Sequence, residues 1–434
     1  MGASRSVQVS RRLEPLLRRL DPYGGRELPF SLRFWDGSEL PATASDGPAF
    51  TIEVRDASAL SHIVRAPDQL GVARAWVSGA LDVRGDLESA WRILRERLSG
   101  ARAGGREWVA LAAAALQLHA PLRPRLPESE AHVHGRLHSL RRDSAAVRHH
   151  YDVPTDFYRL VLGPSLVYSC AYFESPDATL EEAQEAKLDL ICRKLDLREG
   201  ERLLDVGCGW GSLVIHAARE YGVDATGVTL SPSQAEEARR RIAEAGLERL
   251  CRVKVLDYRA LEDGPYDKVA SVGMYEHVGR DQLPAYAAKL HSLLRPGGRL
   301  LNHGIARVKQ VPRVGKFINR YVFPDGDLQP VGELVRVLEA EGFEVRHIET
   351  LREHYTLTLR HWVANLDANR EEATRLAGEE RERVWRLYMT GSAQAFEDGD
   401  IGVYQTLAVA PGGAYISSAI SDAAFAAPSR GTWR

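Results

Sequence analysis

Arg202-Leu203-Leu204-Asp205-Val206-Gly207-Cys208-Gly209-Trp210-Gly211 reads as a buried strand that runs into a glycine-rich turn and then a helix. The apolar residues Leu203, Leu204 and Val206 suit a parallel strand covered on both faces. Asp205 stands at its carboxyl end, where open α/β sheets hold ligands. Glycines at alternate positions 207, 209 and 211 let the backbone pass close under a ligand and leave the next helix an electropositive N-terminus.

The spacing separates this turn from a dinucleotide site. G-x-G-x-x-G with a ribose-binding acid about twenty residues on is the dinucleotide pattern. Here the third glycine comes one residue early and Asp205 precedes the first. The D-x-G-x-G-x-G arrangement resembles motif I of class I S-adenosylmethionine-dependent methyltransferases, which implies that Asp205 reads the methionine end of the cofactor. By itself such a turn also serves structural and nucleotide-binding roles.

The flanking sequence repeats strand and helix. After a helix over Ser212–Glu220, strands are expected at Asp224–Leu230, Arg252–Leu256, Lys268–Val272 and from Arg299 to Asn302. Ser231-Pro232 starts one intervening helix, a capping hydroxyl before proline at the first helical position, and Leu283–Leu294 forms another. This alternation predicts a doubly wound sheet. Helices over Val331–Glu341, Leu357–Leu366 and Glu371–Phe396 read as a helical cover, and Gly402–Val409 as a last strand.

With 434 residues the chain suits two or three domains, each with its own core. A formal charge of −2 argues against a general nucleic-acid binder. The basic residues are nearly all Arg, the first lysine being Lys187, which we attribute to genome composition. Cys170, Cys192, Cys208 and Cys251 form no C-x-x-C pair, so neither zinc nor a disulfide framework is expected, and a reducing cytoplasm is the simplest reading. The opening residues lack a continuous hydrophobic core, so no secretory leader is expected. The apolar run Trp108–Leu116 is far short of the roughly 20 residues of a membrane span.

Upstream, Val7–Leu20 predicts an amphipathic helix with a cationic face, either a domain helix or one lying on a membrane surface. Strands at Phe30–Trp35 and Phe50–Val54 and a helix over Ala57–Val64 indicate a small mixed α/β domain ending near Leu98, followed by a helix over Glu107–His119. Pro121, Pro124 and Pro127 suggest a linker. The Arg- and His-rich run His132–His150 is either a solvated stretch or one that faces phosphate groups. The expected partition is a domain over 1–120, a basic linker over 121–150, a catalytic domain over 151–411 and a mobile tail over 412–434.

Several further stretches carry a closer resemblance. His150-Tyr151-Asp152, Tyr168-Ser169-Cys170-Ala171-Tyr172-Phe173, Ala186-Lys187-Leu188, Gly227-Val228-Thr229-Leu230-Ser231, Ser271-Val272-Gly273-Met274-Tyr275-Glu276-His277-Val278-Gly279 and Arg320-Tyr321-Val322-Phe323-Pro324, with the glycine turn, resemble successive motifs of the cyclopropane-fatty-acyl-phospholipid synthase family. The match spans about His150 to Val409, and the N-terminal domain is more loosely similar to the lipid-handling domain of longer bacterial members. The resemblance implies a class I methyltransferase sheet with a helical cover and a smaller N-terminal α/β domain. The implied reaction is methylation of a cis double bond in a membrane phospholipid acyl chain. The product is a cyclopropane or, as in actinobacterial members, a 10-methylene precursor of tuberculostearic acid that a flavin-dependent reductase saturates. It further implies a homo-oligomer at the inner face of the membrane.

The family also implies a bound bicarbonate as base, held by the main chain at Cys170 and Ile305 and by the side chains of Glu276, His303 and Tyr355. Read alone, Glu276 is the base candidate at a strand end, or a helix cap; Cys170 is a buried small hydrophobe; His303 and Tyr355 are structural. For the cofactor, Gly207, Gly209 and Gly211 are expected on the methionine side and Thr229, Leu230 and Gln234 by the ribose. Tyr258 flanks the adenine or is a surface-loop residue, and Tyr168 and Ser169 approach the sulfonium. Tyr168, Tyr172 or Tyr275 could stabilise a carbocation. The competing function is methylation of a soluble oxygen or nitrogen nucleophile.

Overall fold

The computed structural model describes residues 8–20, 27–98, 105–131, 135, 142, 153–309 and 315–412. The His150-Tyr151-Asp152 motif, nearly all of the basic run and the tail beyond 412 lie outside them. The chain divides into two compact units.

The first unit comprises 1–131 with 315–321 and 378–394. Strands β1 (Phe30–Phe34), β2 (Glu39–Leu40), β3 (Phe50–Val54) and β4 (Leu81–Gly85) form a sheet in the order β2-β1-β3-β4. β1 and β3 run parallel, and Phe30 stacks on its register partner Phe50 with ring centroids 5.1 Å apart. The amphipathic helix Val9–Leu20 buries Val9 and Leu13 in the same cluster as Phe34, Val54, Leu60 and Leu111.

Two features depart from the expected partition. Residues 121–131, expected as the start of a linker, are tied to this unit. Glu130 accepts two hydrogen bonds from the Arg74 guanidinium, at 2.9 and 2.8 Å, and one from the Tyr321 hydroxyl at 3.1 Å. Residues 378–394, expected as part of the catalytic cover, also belong here. The fully buried Arg383 donates to the carbonyls of Trp76 and Leu81, both at 2.6 Å, and lies over the Trp76 ring. The expected single helix over Glu371–Phe396 is accordingly two, Arg370–Ala377 and Glu379–Glu397, broken at Gly378 with φ +83°.

The second unit is built on β5 (Arg202–Val206), β6 (Asp224–Thr229), β7 (Cys251–Val255), β8 (Tyr266–Val272), β9 (Leu294–Arg307), β10 (Glu344–Thr350) and β11 (Ile401–Val409). Their order is β10-β11-β9-β8-β5-β6-β7, and only β11 runs against the others. Leu203, Leu204 and Val206 are at most 1% exposed, as a doubly covered strand requires. β10 escaped the sequence reading because its burial merely alternates between exposed and intermediate at a sheet edge. The chain winds from β5 outward to β7, then crosses back to β8 on the other side of β5. This reversal opens a crevice at the carboxyl ends of β5 and β8.

Candidate active site

A cavity occupies that crevice. Its wall includes Asp205, Gly207 and Gly209 from β5 and its turn, Thr229, Leu230 and Gln234 after β6, Tyr258 after β7, and Tyr168 and Ser169 opposite. Gly207, Gly209 and Gly211 have φ of +82°, +54° and +81°, a region that other residues avoid. The amides of Gly207 and Cys208 both donate to the Val228 carbonyl at 3.0 Å, which pins the turn to β6. A Cβ on Gly227 would stand 2.7 Å from Cys208, so β6 needs a glycine there for the turn to lie down. Gly211, expected on the methionine side with the other two, is not among the residues of the wall. A Cβ there would meet Ala238 at 3.1 Å, so its smallness serves the packing of helix Ser212–Tyr221 on helix Pro232–Glu244.

Asp205 is 2% exposed, and its Oδ1 is buried with no hydrogen-bond partner. Burial pushes its carboxyl up to about 7, against the opposing pull of the Lys187 charge. Lys187, also in the wall, donates to Ser169 Oγ at 2.9 Å, and burial pulls its ammonium down to about 8. Across the turn, the Thr229 hydroxyl donates to Gln234 Oε1 at 2.7 Å, and Ser231 Oγ caps the helix by accepting from the Gln234 amide. Tyr258 stands edge-on to Tyr286 at 5.7 Å. A buried orphan acceptor beside a left-handed glycine turn is the arrangement an α-amino group and its carboxylate would complete.

The wall also contains residues the cofactor reading did not assign: Trp210, Met274, His277, Phe323 and Pro324. His277 packs edge-on against Phe323, and burial draws its imidazole down to about 4. The signal was present, because both residues stand in stretches that carried the family resemblance.

Glu276, His303, Ile305, Cys170 and Tyr355 are not in the wall; they lie behind it. Glu276 sits on the short turn Tyr275–His277 that follows the wall residue Met274, and the Gly273 amide donates to the His303 carbonyl at 2.8 Å. The Ile305 amide donates to Glu276 Oε1 at 2.8 Å, while Glu276 Oε2 is buried and unpartnered. This differs from the expectation that the Ile305 amide faces a free anion, because the carboxyl already takes it. Burial pushes Glu276 up to about 7. On β9, Ile305 and His303 pair with Val403 and Gln405 of β11, and the Leu351 amide donates to the Val403 carbonyl. The Cys170 thiol lies 3.6 Å from the Leu351 carbonyl, and Tyr355 lies one helical turn beyond Leu351. Its ring packs on Phe396 and edge-on to Trp362, which in turn meets the wall residue Tyr168 at 5.4 Å.

Cys170 is fully buried and its thiol is pushed well up, so it is no nucleophile. Of the three tyrosines suggested for a carbocation, Tyr168 lines the cavity. Tyr172 instead stacks on His354, and Tyr275 packs beneath Gly304, where a Cβ would come within 2.3 Å of its ring. Among the described residues no group of His, Cys, Asp and Glu could hold a metal ion.

Comparison with known proteins agrees with this geometry. The family described as mycolic acid cyclopropane synthetase matches residues 138–406. A probable fatty acid methyltransferase of Pseudomonas putida is 41% identical over 391 residues, covering 88% of this chain and 92% of that one. A probable fatty acid methyltransferase of Mycobacterium tuberculosis is 39% identical, covering 88% and 91%. A crystal structure of the mycolic acid cyclopropane synthase CmaA1 with SAH and CTAB matches with a TM-score of 0.59 and 38% identity, over 61% of this chain and 98% of that one. The chain therefore belongs to the cyclopropane synthase family of S-adenosylmethionine-dependent methyltransferases.

Proposed function

We propose that this chain methylates the cis double bond of an unsaturated acyl chain carried by a membrane phospholipid, giving a cyclopropane or a 10-methylene acyl product. The observation that carries the reading is the pair of buried, unpartnered polar atoms behind the cofactor cavity, Glu276 Oε2 and His303 Nε2. A hydroxyl or amine also sheds a proton on methylation, but from an oxygen or nitrogen that exchanges readily with water. The cation left by methylating an alkene must lose its proton from carbon in a dry site, which calls for buried polar groups to handle it. The relatives that align with 88% of this chain are named fatty acid methyltransferases, whereas the mycolic acid enzyme aligns with 61%. That coverage supports a fatty acyl substrate and a role for the N-terminal unit in handling it.

When bound, S-adenosylmethionine supplies an electrophilic methyl group on a positively charged sulfur. Asp205 Oδ1 fits its α-ammonium, the turn at Gly207 and Gly209 its carboxylate end, and Thr229 with Gln234 its ribose. Tyr168 lines the cavity, and a cation held over its ring would gain roughly 0.5 to 2 kcal/mol. Holding the alkene close to and in line with the sulfonium is the larger contribution.

Bicarbonate would be held at the unpartnered Glu276 Oε2 and His303 Nε2, with the Ile305 amide, now bonded to Glu276, turning to it, and when bound would supply the proton acceptor. Two anions side by side would repel, and burial pushes Glu276 up to about 7, so that a nearby anion would favour its protonated form. Glu276 then offers a hydrogen bond instead of a second negative charge. Among the described residues no helix is long and apolar enough to cross a membrane; on this reading the chain meets phospholipid at the membrane surface.

The test is incubation of the full chain with oleoyl phospholipid vesicles and methyl-labelled S-adenosylmethionine. The expected result is a gain of one methylene unit in the acyl chain, with NMR distinguishing ring protons from vinylidene protons. Label in a soluble acceptor and none in acyl chains, with turnover unchanged in Glu276→Gln and Tyr355→Phe, would overturn the reading.

A further inference from the structure

Behind His303 lies a buried relay that the reaction described above does not use. His303, Gln405 and Lys194 are 1%, 0% and 3% exposed. The Lys194 ammonium, on the last turn of helix Leu180–Leu195, donates to Gln405 Oε1 at 2.5 Å and pairs with the Glu349 carboxylate. The other end of the same amide, Gln405 Nε2, lies 3.2 Å from His303 Nδ1. An ammonium carries only donors, so the amide oxygen must face Lys194. The amide NH2 then faces the ring, and Nδ1 must be the acceptor.

We propose that Lys194, acting through the Gln405 amide, fixes the tautomer of His303 with its proton on Nε2. That places a buried N–H donor beside the proton-accepting site. The opposite orientation of the amide would set two donors against each other in the dry interior. Burial, with the charges of Lys187 and Lys194, holds the imidazole well below its ordinary range, so the ring is neutral and carries a single proton. Nε2, the nitrogen that receives the proton, is the buried ring atom without a protein partner. Lys194 and Gln405 are thus positioning residues, and Glu349 keeps the buried ammonium charged. The tautomer itself is independent of substrate; its use, donation to a bound anion, rests on the function proposed above.

The experiment is two-bond 1H–15N NMR of the full chain, with the His303 ring among 14 histidines identified by its loss in His303→Gln. The expected pattern is Nε2–H. Gln405→Glu keeps the shape but presents an acceptor to Nδ1, so the proton moves to Nδ1 in a chain that still melts cooperatively. Lys194→Met frees the amide to turn and gives both tautomers, and Lys194→Arg restores Nε2–H. An Nδ1–H pattern in the unsubstituted chain overturns the proposal, as does Nε2–H persisting in folded Gln405→Glu. Should Gln405→Glu not fold, the Met and Arg variants decide the matter alone, and no change of tautomer in Lys194→Met overturns it. In turnover, Gln405→Glu lowers kcat by about tenfold or more, by analogy with the outer partners that orient metal-bound histidines, and leaves the Kd for S-adenosylmethionine unchanged. A chain that never methylates acyl lipid would sink the proposed function and leave the NMR result standing.

Discussion

Asp205 and Glu276 are both buried carboxyls, each pushed up to about 7 and each with one oxygen lacking a partner, yet their surroundings differ, and on the proposed function their tasks are opposite. Asp205 has the Lys187 cation nearby and lines an open cavity. A positively charged ligand arriving there pulls its proton off, and the carboxylate binds it. Glu276 lies behind the wall, with only a main-chain N–H at its second oxygen. No side-chain cation stands there to favour ionisation, so on the proposed function an arriving anion keeps it protonated and it serves as a hydrogen-bond donor. Equal burial therefore does not fix a carboxyl's role; the charge of what reaches its free oxygen does.

The largest expected effect that would test this contrast is on Glu276. Glu276→Gln should lower acyl methylation by about a hundredfold or more, the range for loss of a proton-handling group, while S-adenosylmethionine binding by calorimetry stays within threefold of the parent (~0.6 kcal/mol). Turnover near the parent's would remove Glu276 from proton handling.

Asp205→Asn should act on the other quantity. Losing a charge-assisted hydrogen bond worth roughly 1.5 to 3 kcal/mol weakens cofactor binding by about tenfold to a hundredfold, with turnover at saturating cofactor much less affected. If the two variants showed the same split between binding and turnover, the contrast would fail.

A pH series sharpens it further. Below about 7 the unliganded protein holds Asp205 protonated, so cofactor binding must expel that proton. Affinity should rise about tenfold per pH unit up to about 7 and then level off. In Asp205→Asn the slope should vanish, and in Glu276→Gln it should persist. Calorimetry in buffers of different ionisation enthalpy would count the released proton directly.

Two smaller effects separate packing from chemistry. Gly227→Ala drives a methyl into Cys208 and should cost about 1 to 3 kcal/mol of stability, seen as a lower Tm and partly restored by adding Cys208→Ala. Cys170→Ala should change turnover only a few-fold, since the thiol is held protonated by burial. Inactivation by a thiol reagent that Cys170→Ala abolishes would contradict this.

Most residues of the cavity wall at the ends of β5 and β6 were legible from local sequence. An apolar strand followed by glycines that must take positive φ, and Ser231-Pro232 opening a helix, are constraints a few residues long. The spacing of Gly211 matches that of the two glycines in the wall, while the residue that leaves no room for a side chain there, Ala238, lies on another helix. The residues behind the wall were singled out only through family resemblance. Residue order does not show that Ile305 would bond to Glu276, or that a hydroxyl, thiol or imidazole would sit behind a wall and not in it.

The sequence by itself determined the wound sheet, the glycine turn and the sheet edge where the cavity opens, because each follows from backbone geometry and apolar periodicity within one strand-turn-helix step. The tertiary structure alone decided the reversed direction of β11, the attachment of 378–394 to the first unit and the surroundings of His303. His303 meets Gln405 across 102 residues, and Gln405 meets Lys194 across 211. No local pattern carries contacts of that span; they arise when packing in the core brings buried donors and acceptors together and leaves them no water to bond instead.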